Sequence, residues 1–232
     1  MFDIFIGKSK LTLFATILII FYGIYYMPID SFGMNAPIKM ALMLSSIFVL
    51  FFCTFKASRA VIWGLVYLIF QYAVASFHPE TFRWGTYIYS ILLVITYVCF
   101  YNLVYIERVF TIEHFINICK WFMMLYFVVC IIQQVLTVAG IGYFPLFNMM
   151  TVLDRGLGCQ SLTAEPSHFA RFMLVFYYAY IKCCEYKRGE GPFTLKELFN
   201  EEHKWVTIRF LWMMLTMGSG TAFLCLILFS LY

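Results

Sequence analysis

Charge is what this chain has least of. Asp, Glu, Lys and Arg together make 12% of 232 residues, about half the share of an ordinary soluble domain. A disordered protein is excluded, because disorder needs high charge and few apolar groups. A formal net charge of +4 excludes the strongly basic surface of a nucleic-acid binder. Cysteine is present eight times, but no two stand at C-x-x-C spacing, which removes zinc-ribbon and thioredoxin-like chemistry. The four histidines are isolated from one another in sequence. There is no glycine-rich phosphate loop, no internal repeat and no low-complexity tract. No metal site and no cofactor are expected.

What fills the chain is apolar. Hydrophobic residues make 63% of it, aromatics 21%, and the mean hydropathy is +0.86. Seven membrane helices of about 20 residues would take about 140 positions, close to that 63%. The sequence therefore predicts an all-α, polytopic integral membrane protein, one transmembrane domain over residues 1–232 with about seven helices. Charge-free or nearly charge-free runs place them at Leu11–Met27, Met40–Phe55, Ala60–Phe77, Trp84–Tyr105, Trp121–Ala139, His168–Cys184 and Phe210–Tyr232. In the sixth, Arg171 and Lys182 are expected to snorkel toward opposite interfaces. The first is read as a retained span, since Tyr25-Tyr26-Met27-Pro28 offers no small-x-small cleavage site.

Alternate ends of these spans carry very different numbers of basic residues. Twelve of the 16 Lys and Arg fall on one side, and only Lys39, Arg83, Arg155 and Arg171 on the other. The positive-inside rule then puts the N-terminus in the cytoplasm, Glu185–Arg209 in a cytoplasmic loop, and Gly140–Ser167 in an outer loop. In the cytoplasmic loop, Thr194-Leu195-Lys196-Glu197 reads as a capping box opening a short helix. Leu195, Leu198 and Phe199 would give that helix one apolar face at the membrane surface. Cys183 and Cys184, at a cytoplasmic helix end, are read either as small packing residues or as lipidation sites.

The outer loop gathers the polar groups of an otherwise apolar chain: Asp154, Arg155 and Gly156, then Ser161, Thr163, Glu165, Pro166, Ser167 and His168, followed by Arg171. Proline suits the first helical position, so Pro166 is expected to open the sixth span with Glu165 at its N-cap, where a carboxylate is favoured by the helix dipole. Glu165, His168 and Arg171, spaced by three, fall within an arc of about 120°. Two readings stand. Either these three groups handle an anionic, hydroxyl-rich substrate, or Glu165 caps its helix while Arg171 snorkels. In the last span, Gly218-Ser219-Gly220-Thr221 is read as a close-packing stripe or as the wall of a polar cavity. Gln133 and Gln134 in the fifth span are expected to hydrogen-bond between helices.

These residues resemble the Wzy-type O-antigen, or oligosaccharide repeat-unit, polymerases, which are relatives of the O-antigen ligases. The resemblance rests on Arg155 and Gly156 in an outward loop, Glu165-Pro166-Ser167 opening a span, and Ser219, Thr221 and Ala222 in a later span. Gly220 departs from the basic residue that often stands between that serine and threonine. Family members also continue into further spans and a large outward loop, so the resemblance reads this chain as a C-terminally truncated member whose missing part would carry further catalytic residues.

The resemblance implies a glycosyltransferase of bacterial surface-polysaccharide and lipopolysaccharide biosynthesis, multi-pass in the inner membrane, with its site on the periplasmic face. Its substrate would be an undecaprenyl-pyrophosphate-linked glycan, and its partners the bilayer and the chain-length regulator and flippase of the same pathway. Glu165, Arg171 and Arg155 would be catalytic: the arginines on the pyrophosphate, and Glu165 as base, as positioner of the acceptor hydroxyl, or as the group that orients an arginine. His168, Ser167, Ser219 and Thr221 would bind substrate, and no metal would be needed. An O-antigen ligase shares the donor and stays open. A lipid-linked sugar flippase or other transporter also stays open, although it would place ionisable or helix-breaking residues in paired segments near mid-membrane.

Overall fold

The computed structural model describes residues 8–24, 35–53, 56, 58–80, 82–141, 159–163, 165–189 and 191–230. Among these residues every regular element is helical. In chain order they are α1 (Lys8–Gly23), α2 (Asn35–Cys53), α3 (Arg59–Ser76), α4 (Trp84–Tyr101), α5 (Ile112–Val138), α6 (Pro166–Arg188), α7 (Leu195–Leu198), α8 (Lys204–Thr216) and α9 (Gly220–Ser230). A π-helical stretch, Asn102–Ile106, continues α4. A helix satisfies its own backbone groups, which is what an apolar medium demands. Three segments are long and apolar enough to cross a membrane: Arg59–Ser76, Trp84–Ile106 and Ile112–Val138. The exposure of α3 points the same way. Trp63, Ile69 and Phe70 are 68, 67 and 65% exposed, a surface that water would not tolerate and lipid does.

The described residues fall into two compact units. The first takes α1 as far as Tyr22, then α2 to α4 and on to Phe110. Its core joins Ala15, Val49, Leu50, Ala60, Val98, Cys99, Leu103 and Val109. Here α4 packs against α2 and α3. Gly64 lets α3 approach closely, since a Cβ there would lie 2.5 Å from Val94 Cγ1. Gln71 Nε2 donates to Ser90 Oγ at 3.0 Å across the same pair. Beyond α4 the chain turns at Arg108 (φ 49°), and Lys56 pairs with Glu107 at 2.8 Å.

The second unit takes Gly23, Ile24 and everything described from Thr111 onward. Its centre is α5 packed along α6 and α8, with α9 against α6 and α8. Flat ring contacts make up much of that packing: Phe122 on Phe176 at 4.6 Å, Tyr126 on Phe169 at 5.6 Å and Tyr177 on Phe210 at 4.0 Å. Tyr126 donates its hydroxyl to the Gly23 carbonyl. The boundaries follow local chemistry. Thr111 caps α5, accepting from His114 N–H at 3.1 Å. Pro166 opens α6, and Gly189 closes it in the left-handed conformation (φ 75°) behind Lys187 and Arg188.

Two sequence expectations change, and a third is met. The fifth run is longer than Trp121–Ala139, because α5 starts at Ile112 and its basic and polar first turns remain helical. The hydrophobic run Phe210–Tyr232 is not one rod. It belongs to α8 and α9, and between them Gly218 takes φ 61°, a conformation that ends a helix at little cost only for glycine. The short helix expected after Thr194 is a single turn, α7, with the expected capping box between Thr194 and Glu197. Its three apolar residues, Leu195, Leu198 and Phe199, line one cavity with Tyr177 and Phe210, Leu198 buried and the other two exposed.

Candidate functional site

The candidate site is built on a buried stretch of non-helical chain, Cys159 to Thr163, that leads into α6. All five residues are buried, so their backbone groups need partners inside the protein. Gln133 of α5 supplies those of Ser161. Its Oε1 accepts the Ser161 N–H at 2.8 Å and the Cys159 thiol at 2.9 Å, and its Nε2 donates to the Ser161 carbonyl at 3.1 Å. One side-chain amide thus clamps both main-chain groups of one residue, much as a neighbouring strand would. Ser161 also donates its hydroxyl to the Tyr126 carbonyl at 2.8 Å. These bonds hold Ser161 at φ 50°, a left-handed geometry that a residue with a side chain adopts only under such constraint. Burial, with the neighbouring Cys130 adding to it, holds the Cys159 thiol well above its ordinary range. The thiol therefore stays protonated and serves as a donor.

The stretch ends in a second local lock. The Thr163 hydroxyl lies 2.8 Å from both the Gln160 and the Glu165 carbonyl oxygens and donates its single proton to one of them at a time. Glu165 follows in extended conformation, φ −146° and ψ 152°, as the N-cap of α6, which the next residue's proline ring favours. Its carbonyl accepts from His168 and Phe169, both at 3.1 Å.

Its carboxylate does something else. No side-chain capping bond forms; instead Oε2 accepts the Ser167 hydroxyl at 3.2 Å, and the side chain is exposed. The reading in which Glu165 spends its carboxylate capping the helix is therefore not what the structure shows.

The other expected site residues are distributed as follows. Ser167 is joined to Glu165, and His168 lies half-buried in the first turn of α6. Arg171 is exposed one turn further on, within electrostatic reach of Cys225 on α9, and makes no hydrogen bond or ion pair among the described residues. The backbone joins Glu165 to His168 through the His168 N–H, and among the described residues no hydrogen bond or ion pair joins Glu165 to Arg171. Ser219 and Thr221 stand at the α8–α9 break, where the Ser219 carbonyl accepts from Ala222 at 2.9 Å; this is a helix break rather than a stripe within a helix. Ala222 is fully buried. Arg155 and Gly156, with the rest of residues 142–158, lie outside the described residues. Among the described residues, no three His, Cys, Asp or Glu side chains gather as a metal site would require.

The two glutamines divide their work. Gln134 bonds between helices as expected, donating to Thr216 Oγ1 at 2.8 Å and accepting from Trp212 Nε1 at 3.2 Å. Gln133 serves the Cys159–Thr163 stretch instead. The only hint of that in the sequence is a polar pair inside an otherwise charge-free run. Comparison of the chain with protein-family models, with curated proteins and with solved structures finds no match.

Proposed function

We propose that the protein belongs to the machinery that extends undecaprenyl-pyrophosphate-linked glycans, as an oligosaccharide repeat-unit polymerase. In this reading it is a bacterial inner-membrane protein of about seven spans with a cytoplasmic N-terminus, and Glu165 and Arg171 face the periplasm. The observation that carries the reading is the Glu165 carboxylate. It is exposed, makes no side-chain capping bond, and follows a buried stretch held at Ser161 by Gln133 and at Thr163 by the Gln160 carbonyl. A group held in that way suits chemistry better than it suits structure.

In the reaction, an acceptor sugar hydroxyl attacks the anomeric carbon of the donor glycan, and the bond from that carbon to the pyrophosphate oxygen breaks. Glu165 takes or orients the hydroxyl proton. Arg171, with Arg155, meets the negative charge that develops on the departing lipid pyrophosphate. Ser167 holds the Glu165 carboxylate in place, and His168, Ser219 and Thr221 contact the sugars.

The test is a surface-glycan ladder in cells that depend on the gene, complemented with Glu165→Gln or Arg171→Ala. Both variants are expected to insert normally and to leave single repeat units. General-base loss of this kind costs about 10²–10⁴-fold in rate. A ladder of normal length from Glu165→Gln would sink the assignment.

A further inference from the structure

A second polar site sits at the far end of α6 from Glu165, about 30 Å away at 1.5 Å per residue. There a cavity of about 470 Å³ opens among the first turns of α5, the last turn of α6 and the segment leading into α8. Most charges around it are matched. Lys187 pairs with Glu113 at 2.8 Å, and Arg188 pairs with Glu197 at 2.6 Å. Lys120 is not matched: it lines the cavity from an apolar helix and, among the described residues, makes no ion pair, its ammonium resting 5.6 Å from the Tyr180 ring centroid. Half-buried beside the cavity, this ammonium is available to an anionic ligand.

The groups facing Lys120 add donors. Asn117, one turn earlier on the same face of α5, lines the rim and makes no side-chain hydrogen bond among the described residues. His203, 6% exposed, is oriented by Tyr180, whose hydroxyl lies 2.7 Å from Nδ1. Its Nε2 is 4.0 Å from the Glu202 carboxylate, which is itself 75% exposed and free to swing into water. Lys120 and Arg188 both lie near enough to His203 to act on its charge. Positive charge and N–H donors therefore converge on one polar cavity, whose two carboxylates are Glu113, paired with Lys187, and the exposed Glu202.

We propose that this cavity binds a phosphate group, with Lys120 as the central contact and Asn117 and His203 as flanking donors. The chemistry admits two sources, a free phosphate-type anion and the phosphate of a lipid headgroup. The inference is independent of the reading given for Glu165.

The test uses the full chain in a neutral maltoside detergent. Thermal unfolding is followed against inorganic phosphate, with chloride at equal ionic strength as reference, and retention of phosphatidylglycerol against phosphatidylcholine is read by native mass spectrometry. Wild type is expected to bind saturably, Lys120→Gln to bind at least tenfold more weakly, and Lys120→Arg and Lys10→Gln to bind as wild type does. Stabilisation by inorganic phosphate alone supports the site and shows that a free anion suffices. Retention of phosphatidylglycerol without a phosphate effect supports it as a headgroup site. Binding in neither arm overturns it, as does a Lys120→Gln affinity equal to wild type. Equal loss in Lys120→Gln and Lys120→Arg also overturns it, because that pattern reports packing rather than charge.

Discussion

Replacing Gln133 with leucine removes the clamp while nearly preserving volume. Three bonds go: those from the Ser161 N–H, to the Ser161 carbonyl and from the Cys159 thiol. The two main-chain groups matter most, because Ser161 is fully buried and a buried backbone group without a partner costs about 1–3 kcal/mol. The pair gives about 2–6 kcal/mol, a large part of the roughly 5–15 kcal/mol that stabilises a typical domain. Ser161 would also lose the constraint that keeps it at φ 50°, so the damage should concentrate in residues 159–163. Thermal unfolding in detergent would report the total loss, and amide hydrogen exchange would report its location. Gln134→Leu is the natural control. It removes bonds to three side chains, Cys130, Thr216 and Trp212, at a partly exposed position, costs less, and leaves exchange at residues 159–163 unchanged. If Gln133→Leu unfolds at the wild-type temperature with wild-type exchange there, the argument that this amide holds the stretch is wrong.

Two further outcomes follow from other parts of the structure. Gly64→Ala places a methyl 2.5 Å from Val94 Cγ1 and is expected to destabilise by about 1–3 kcal/mol. Adding Val94→Ala should recover part of that loss, so additive effects in a double-mutant cycle would refute direct contact. Burial, assisted by the charges of Lys120 and Arg188 and opposed by Glu202 and Glu197, holds His203 below the ordinary histidine value of 6.5. The folded state therefore resists protonation more than the unfolded chain does. Stability contributed by the neutral ring is present above pH 6.5 and is lost as pH falls below it. Unfolding scans from pH 7.5 to 5 in phosphate-free buffer should show that loss in wild type and a smaller slope in His203→Gln; equal slopes would assign the loss to other groups.

The sequence announced a membrane protein through composition alone, since helices are the economical answer to a long apolar run. It also announced the start of α6, because Glu-Pro-Ser carries its own geometry: proline sets φ for the first helical turn and restricts the residue before it. The α7 capping box was legible for the same local reason. What escaped was everything that depends on one backbone angle or on a distant partner. The α8–α9 break turns on Gly218, which inside an apolar run reads equally well as a packing residue. Gln133 was visible as polar but not as a clamp, since its partner lies 28 residues away. The cavity around Lys120 needed three separate segments to meet before any of its residues stood out.

The clamp also has a consequence for biosynthesis. Gln133 precedes Ser161 by 28 residues, so at about 5–20 residues per second it leaves the ribosome about 1–6 s earlier. Closing a connection of that length is entropically cheap. Helix α5 can therefore receive the Cys159–Thr163 stretch while α8 and α9 are still being made, and Glu165 takes up its N-cap position as α6 itself emerges. Slowing translation across residues 134–160 should then leave the placement of Glu165 unaffected, whereas moving Gln133 to a later point in the chain would delay it.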